Sequence, residues 1–114
     1  MKFYVIENSK IPKMLSLFID VWAITLYPFI ICKGKMNQQT RTHEIIHLYQ
    51  QRELLVIGFY VLYVLFWLRY LIQHRSFVMA YACIPFEREA YDNDTEFTYP
   101  LNRKRFSWVK YLRL

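Results

Sequence analysis

The feature that most constrains the fold is a run of fifteen residues without a charge, Leu54 to Leu68, "LLVIGFYVLYVLFWL". Arg69 interrupts it, and "YLI" follows. A membrane-spanning helix needs roughly 20 mainly apolar residues. The run therefore fits a buried hairpin, an interfacial helix or a short span. Gly58 lies inside it and marks a place where the helix can break.

The chain has 114 residues, which predicts a single domain over 1–114 with a small core. Hydrophobic residues make up 55% of it and aromatic residues 19%, with 10 Tyr, 9 Phe and 3 Trp. So many large apolar groups cannot all be internal in a chain this short, and some must face lipid or a partner. The net charge is +6. Its late basic cluster, Arg103, Lys104, Arg105, Lys110 and Arg113, alternates with Phe106, Trp108, Tyr111 and Leu112. That pattern predicts a basic amphipathic C-terminal segment, suited to a membrane interface. No nucleic-acid-binding motif accompanies the charge, so no nucleic-acid partner is expected.

Immediately before the apolar run stands "THEIIHLYQQRE", Thr42 to Glu53. On a helix, residues i and i+4 share a face. His43 and His47 can therefore offer their imidazoles to one metal ion, while Glu44 can act as general base toward an attacking water. Imidazole and carboxylate donors with one open position suit Zn2+. The chain has only 3 His, and two fall in this motif. Gln50 follows His47 by three and lies on the same face, and Gln51 shares the face of Glu44. Both are candidates to support a ligand or touch substrate. A catalytic zinc needs a third protein ligand. Glu53, Glu87, Glu89, Asp92, Asp94 and Glu96 are available, and Glu87 stands out in the first turn of a helix opened by Pro85. Glu89 points to another face, as an exposed acid near that helix start would.

"HEIIHLYQ" together with "PFEREAY" resembles the gluzincin arrangement, in which a later glutamate completes the metal site. More closely, it is similar to a group of small bacterial proteins. Their pattern is a "TL…I" β segment, H-E-x-x-H-x-x-Q, a glycine with a hydrophobic helix, then N-P-F-E-x-x-A. The matching pieces here are Thr25-Leu26 to Ile31, His43 to Gln50, Gly58 onward, and Pro85 to Ala90. The resemblance covers roughly residues 24 to 92. It implies His43, His47 and Glu87 as ligands, Glu44 as base and a zinc-dependent peptidase activity. Two positions depart from the pattern. Ile84 replaces the asparagine, and Tyr91 stands where many gluzincins carry an aspartate that supports a ligand histidine. That supporting role either passes to Asp92 or Glu89 or is absent, and carboxylates behind a ligand orient it and tune affinity. The alternative, favoured by the small size and the missing aspartate, is a non-catalytic small membrane protein or complex subunit with a structural or vestigial metal site.

Elsewhere the chain reads as mainly α. Pro12 opens an expected helix to about Trp22. "AITLYPFIIC" fits two short strands turning at Tyr27-Pro28, or an edge strand. A helix should start near Gln38 to Thr40. Cys32 and Cys83 are expected as buried free thiols. Asp20 breaks the early apolar run and no small-x-small site follows, so no cleaved signal peptide is expected.

Glu87 as a ligand sets a geometric condition. From His47 to Gln73 a straight helix covers about 39 Å. The return to Glu87 could reach about 46 Å only if fully extended. One straight spanning helix would then need an almost fully stretched return to close the site at Glu87, and unpaired backbone in lipid is costly. The motif helix must continue into a folded-back hydrophobic hairpin, bent near Gly58, that dips into a bilayer or packs as core. The expected setting is membrane-associated, most simply at a bacterial inner membrane, with a membrane protein or peptide as substrate.

Overall fold

A computed structural model describes residues 2–10 and 23–113. The expected Pro12–Trp22 helix lies outside the described residues. Three short strands come first: β1, Tyr4–Ile6; β2, Ala23–Leu26; and β3, Phe29–Cys32. β3 is central, parallel to β1 and antiparallel to β2, with Thr25 opposite Ile30. The turn between β2 and β3 falls at Tyr27-Pro28, as the sequence suggests. The partner strand β1 is an addition that the sequence reading lacked. Thr25, Ile30 and Cys32 are buried, so the sheet turns one face inward.

The helices follow. They are α1, Gln38–Glu53; α2, Ile57–His74; α3, Phe77–Cys83; α4, Pro85–Asn93; and α5, Tyr99–Asn102, with a 3-10 helix over Ser107–Tyr111. The architecture is mainly α with a small sheet ahead of the helices, as expected. α1 starts where predicted because Asn37 caps it, accepting from the Thr40 amide at 2.8 Å. Its buried residues are mostly polar, Thr42, His43, Glu44, His47, Gln50 and Gln51, with Ile46 and Leu48 the apolar members.

α1 does not run on into α2. The break lies at Leu54–Val56, just ahead of Gly58. Leu55 and Val56 have φ of 57° and 63°. At Val56, with ψ −60°, the Ile57 amide donates to the Leu55 carbonyl at 2.6 Å, which closes a γ-turn. This turn is rare and strained, the more so for a β-branched residue. Gly58 itself has room for a Cβ, whose nearest neighbour is the Leu54 Cβ at 3.5 Å. The bend therefore comes from the γ-turn and not from the glycine.

The chain turns after α2 through a left-handed Arg75, and α3, capped by the Ser76 hydroxyl, packs back against it. The core forms where Phe59, Ile84, Phe86 and Trp108 meet, flanked by Leu62, Tyr63, Phe66 and Trp67. A second cluster, Tyr70, Ala80 and Cys83, seals the hairpin. Trp108 packs edge-on to Phe86, with ring centroids 4.8 Å apart, and so anchors the C-terminal segment. Cys32 and Cys83 are buried free thiols, as expected. By length and composition α2 could cross a membrane, yet little of it is covered by protein.

Candidate metal centre

α1 presents His43 and His47 one turn apart, and α4 brings Glu87 to them in its first turn. Glu87 Oε1 lies 3.1 Å from His43 Nε2 and 3.0 Å from His47 Nε2. The two Nε2 atoms are 3.2 Å apart. Three donor atoms thus form a nearly equilateral triangle, and the group could hold a metal ion. All three residues are buried. Of the six acids open as third ligand, the folded-back hairpin brings Glu87.

Each of the three residues is fixed from behind. His43 Nδ1 lies 3.2 Å from Asp94 Oδ2, and Asp94 also accepts from the Gln39 amide at 3.1 Å. His47 Nδ1 lies 2.8 Å from Gln50 Oε1. Tyr63 on α2 donates to Glu87 Oε2 at 2.7 Å. Tying the far nitrogen of a ligand histidine sets its tautomer and aims the near one.

Asp92, a sequence candidate for this support, is exposed; the carboxylate behind His43 belongs to Asp94. Helical spacing explains the difference. Asp94 lies seven residues after Glu87 and shares its face, whereas Asp92, five residues on, points about 140° away. Tyr91 shares that face too, its ring edge-on to His43 at 4.4 Å and its hydroxyl 3.0 Å from that of Tyr81.

Gln50 supports the site as its spacing suggested. Its amide donates to the Phe86 carbonyl at 3.1 Å and to Glu89 Oε1 at 2.9 Å, which locks α1 to α4. Gln51 does different work. It donates to the Thr25 carbonyl and accepts from the Tyr27 amide, at 2.9 and 2.7 Å, and so fastens α1 to the sheet. Glu89 is fully buried, not the exposed acid expected. Arg103 grips it at 2.7 and 3.0 Å and grips Glu53 at 2.6 and 3.2 Å. A basic residue of the C-terminal segment therefore faces inward, and a chain of bonds runs Arg103–Glu89–Gln50–His47. No sequence spacing pointed to Arg103 or Tyr63. His74 sits at the end of α2, 3.5 Å from the Cys83 sulfur, away from the three ligands, in keeping with a turn residue.

The charges of the centre are coupled. Burial works against charge on His47, but Glu87 beside it, with its hydrogen bond, pushes His47 up to about 9. Burial likewise opposes the Glu87 carboxylate, yet His47 and the bonds from both histidines hold it well below the usual range. Glu44 differs. Burial raises its carboxyl, Glu87 adds to the rise, and the histidines and Thr25 offset only part. Thr25 donates to Glu44 Oε2 at 3.3 Å, so the sheet holds the candidate base. A raised carboxyl is better matched to taking a proton near neutral pH.

Comparison with family models, with curated proteins and with solved structures gives no match.

Proposed function

We propose that the protein is a membrane-associated, gluzincin-like zinc hydrolase acting on peptide bonds, with Glu44 as general base. The observation that carries this reading is the triangle of His43, His47 and Glu87 donor atoms at 3.0–3.2 Å, with Glu44 on the same helix. A tetrahedral zinc with bonds of about 2.0–2.1 Å sets its donor atoms about 3.3 Å apart, so this donor set fits after a shift of a few tenths of an ångström. When bound, zinc supplies Lewis acidity to a carbonyl and to a water. The chain supplies the rest. Glu44 accepts the proton of the attacking water and passes it to the leaving amine. Thr25 aims Glu44. Asp94 and Gln50 keep His43 and His47 in the ligating tautomer. Tyr63 holds the second oxygen of Glu87, leaving the first to ligate.

One observation favours a second reading. His43, Glu44, His47 and Glu87 are only 4–7% exposed, as in closed structural metal sites. Under it the ion fastens α1 to α4 and no hydrolysis occurs. Elemental mass spectrometry and a peptide-library hydrolysis assay separate the two. The hydrolase reading expects about one zinc per chain, loss of metal in Glu87→Ala, and a Glu44→Gln variant that keeps metal but loses activity. Metal without activity in the wild type selects the structural role. Absence of metal from protein prepared with zinc and without chelators overturns both.

A further inference from the structure

α2 carries a stripe of large apolar side chains that no described residue covers. Ile57, Val61, Val64, Leu65, Leu68 and Ile72 are each 44–77% exposed. At about 100° per residue they lie within one sector about 100° wide. Phe59, Tyr63, Phe66 and Tyr70, which meet the protein, lie about 180° away.

Cations stand at both ends of the stripe. At its N-terminal end Arg52 and Arg105 line one cleft with Tyr49 and Glu53. Arg75 is exposed at the far end. The C-terminal segment, whose Trp108 meets Phe66 and whose Arg113 carbonyl accepts from Tyr70, lies on the protein-facing side of α2. Apolar surface with cations at both ends complements an anionic lipid surface. A second copy of a chain with net charge +6 would bring like charges together around the same stripe.

Three ways of meeting a bilayer can be told apart. Spanning requires lipid all round α2, but its opposite face carries α3, α4 and the C-terminal segment, with the buried ions of the metal centre beneath. Hydrocarbon does not tolerate that load. Insertion tip-first would drive Gln73, His74 and Arg75, all exposed, toward the bilayer centre. Lying flat buries only the stripe and leaves the cations at its two ends at headgroup level. We infer that the uncovered face of α2, with Arg52 and Arg105 at one end and Arg75 at the other, seats the protein in the plane of an anionic bilayer surface. The inference rests on the membrane-association reading above and is independent of the metal.

The test is flotation of the full-length protein, freed of detergent, with vesicles of phosphatidylcholine alone or with phosphatidylglycerol. Wild type should float with the anionic vesicles, release in high salt or alkaline carbonate, and float poorly with the neutral ones. Val64→Asp/Leu68→Asp should weaken binding roughly tenfold or more, since two apolar anchors are lost. Its circular dichroism should match wild type, because both sites are exposed. Arg52→Glu/Arg105→Glu should weaken binding to anionic vesicles alone. Carbonate-resistant insertion of wild type would overturn the flat seating in favour of a span. Unchanged binding by both variants would overturn the assigned face while sparing membrane association. No binding to either vesicle, with a dimer in sedimentation that Val64→Asp/Leu68→Asp dissolves, would overturn membrane association itself.

Discussion

Asp94 stands behind His43, its Oδ2 3.2 Å from the imidazole Nδ1, and it reaches that position from the end of the helix that also supplies Glu87. One helix thus provides one member of the group that could hold a metal ion and the support of another. Asp94→Ala should lower metal affinity about 10–100-fold. Asp92→Ala should leave it unchanged. Competition against a chromophoric chelator measures both, and equal losses in the two variants would rule out the assignment.

Arg103 is the only cation bound to two buried carboxylates among the described residues. Replacing it strands both charges. Arg103→Ala should cost about 3–5 kcal/mol of unfolding free energy, as when a buried ion pair loses one partner. Urea unfolding reads this directly. A loss below about 1 kcal/mol would mean that the pair behaves as a solvated surface bridge.

The metal-free chain should be most stable in mildly acidic solution. His47 is raised from 6.5 to about 9, so its contribution is complete below about pH 6.5 and is lost as pH rises through about 9. Glu87 is depressed, so its contribution is present above about pH 4.5 and is lost as pH falls through its lower folded value. Glu44, raised by burial, contributes a loss in the same direction, as pH rises above about 4.5. Urea midpoints without metal should therefore fall between pH 6 and pH 9. Metal replaces the His47 proton, so its affinity should rise about tenfold per pH unit across that interval. A flat profile in metal-free protein would show that the His47–Glu87 ion pair does not form.

Val56 pays for the bend between α1 and α2 with an unfavourable backbone. Strain of this kind costs on the order of 1–3 kcal/mol, and glycine relieves it at some cost in entropy. Val56→Gly should raise stability by about 1 kcal/mol net. Gly58→Ala should be nearly neutral or slightly stabilising, because its Cβ would meet only Leu54 at an ordinary distance. Destabilisation by Val56→Gly would imply that packing of the valine outweighs the strain.

The parts legible in the sequence were those with local periodicity. The i, i+4 spacing of His43 and His47, the Pro-opened helix carrying Glu87 and the Tyr27-Pro28 turn all follow from neighbours in the chain. The requirement that Glu87 return to the histidines also implied the fold-back of the apolar run. Asp94 was within reach of the same reasoning, since spacing from Glu87 selects it over Asp92. Arg103, Tyr63 and Thr25 were not, because each meets its partner across at least 14 residues and only tertiary packing brings them together. The break at Val56 was misassigned to Gly58, since sequence locates the residue that bends most easily and not the one that packing forces to bend.

The inward polar face of α1 bears on the order in which the molecule assembles. The hairpin of α2 and α3 joins neighbours in the chain and buries aromatic rings, so it can collapse early. Docking of α1 buries Ile46 and Leu48, but the larger part of its inward face awaits polar partners supplied by the sheet, α4 and Arg103. In hydrogen exchange, α1 amides of the metal-free chain should open before those of α2, and metal should close that gap. Equal protection of the two helices without metal would argue for a single cooperative unit. The ion would then be the last component to arrive, a latch on a helix that the rest of the chain has already made room for.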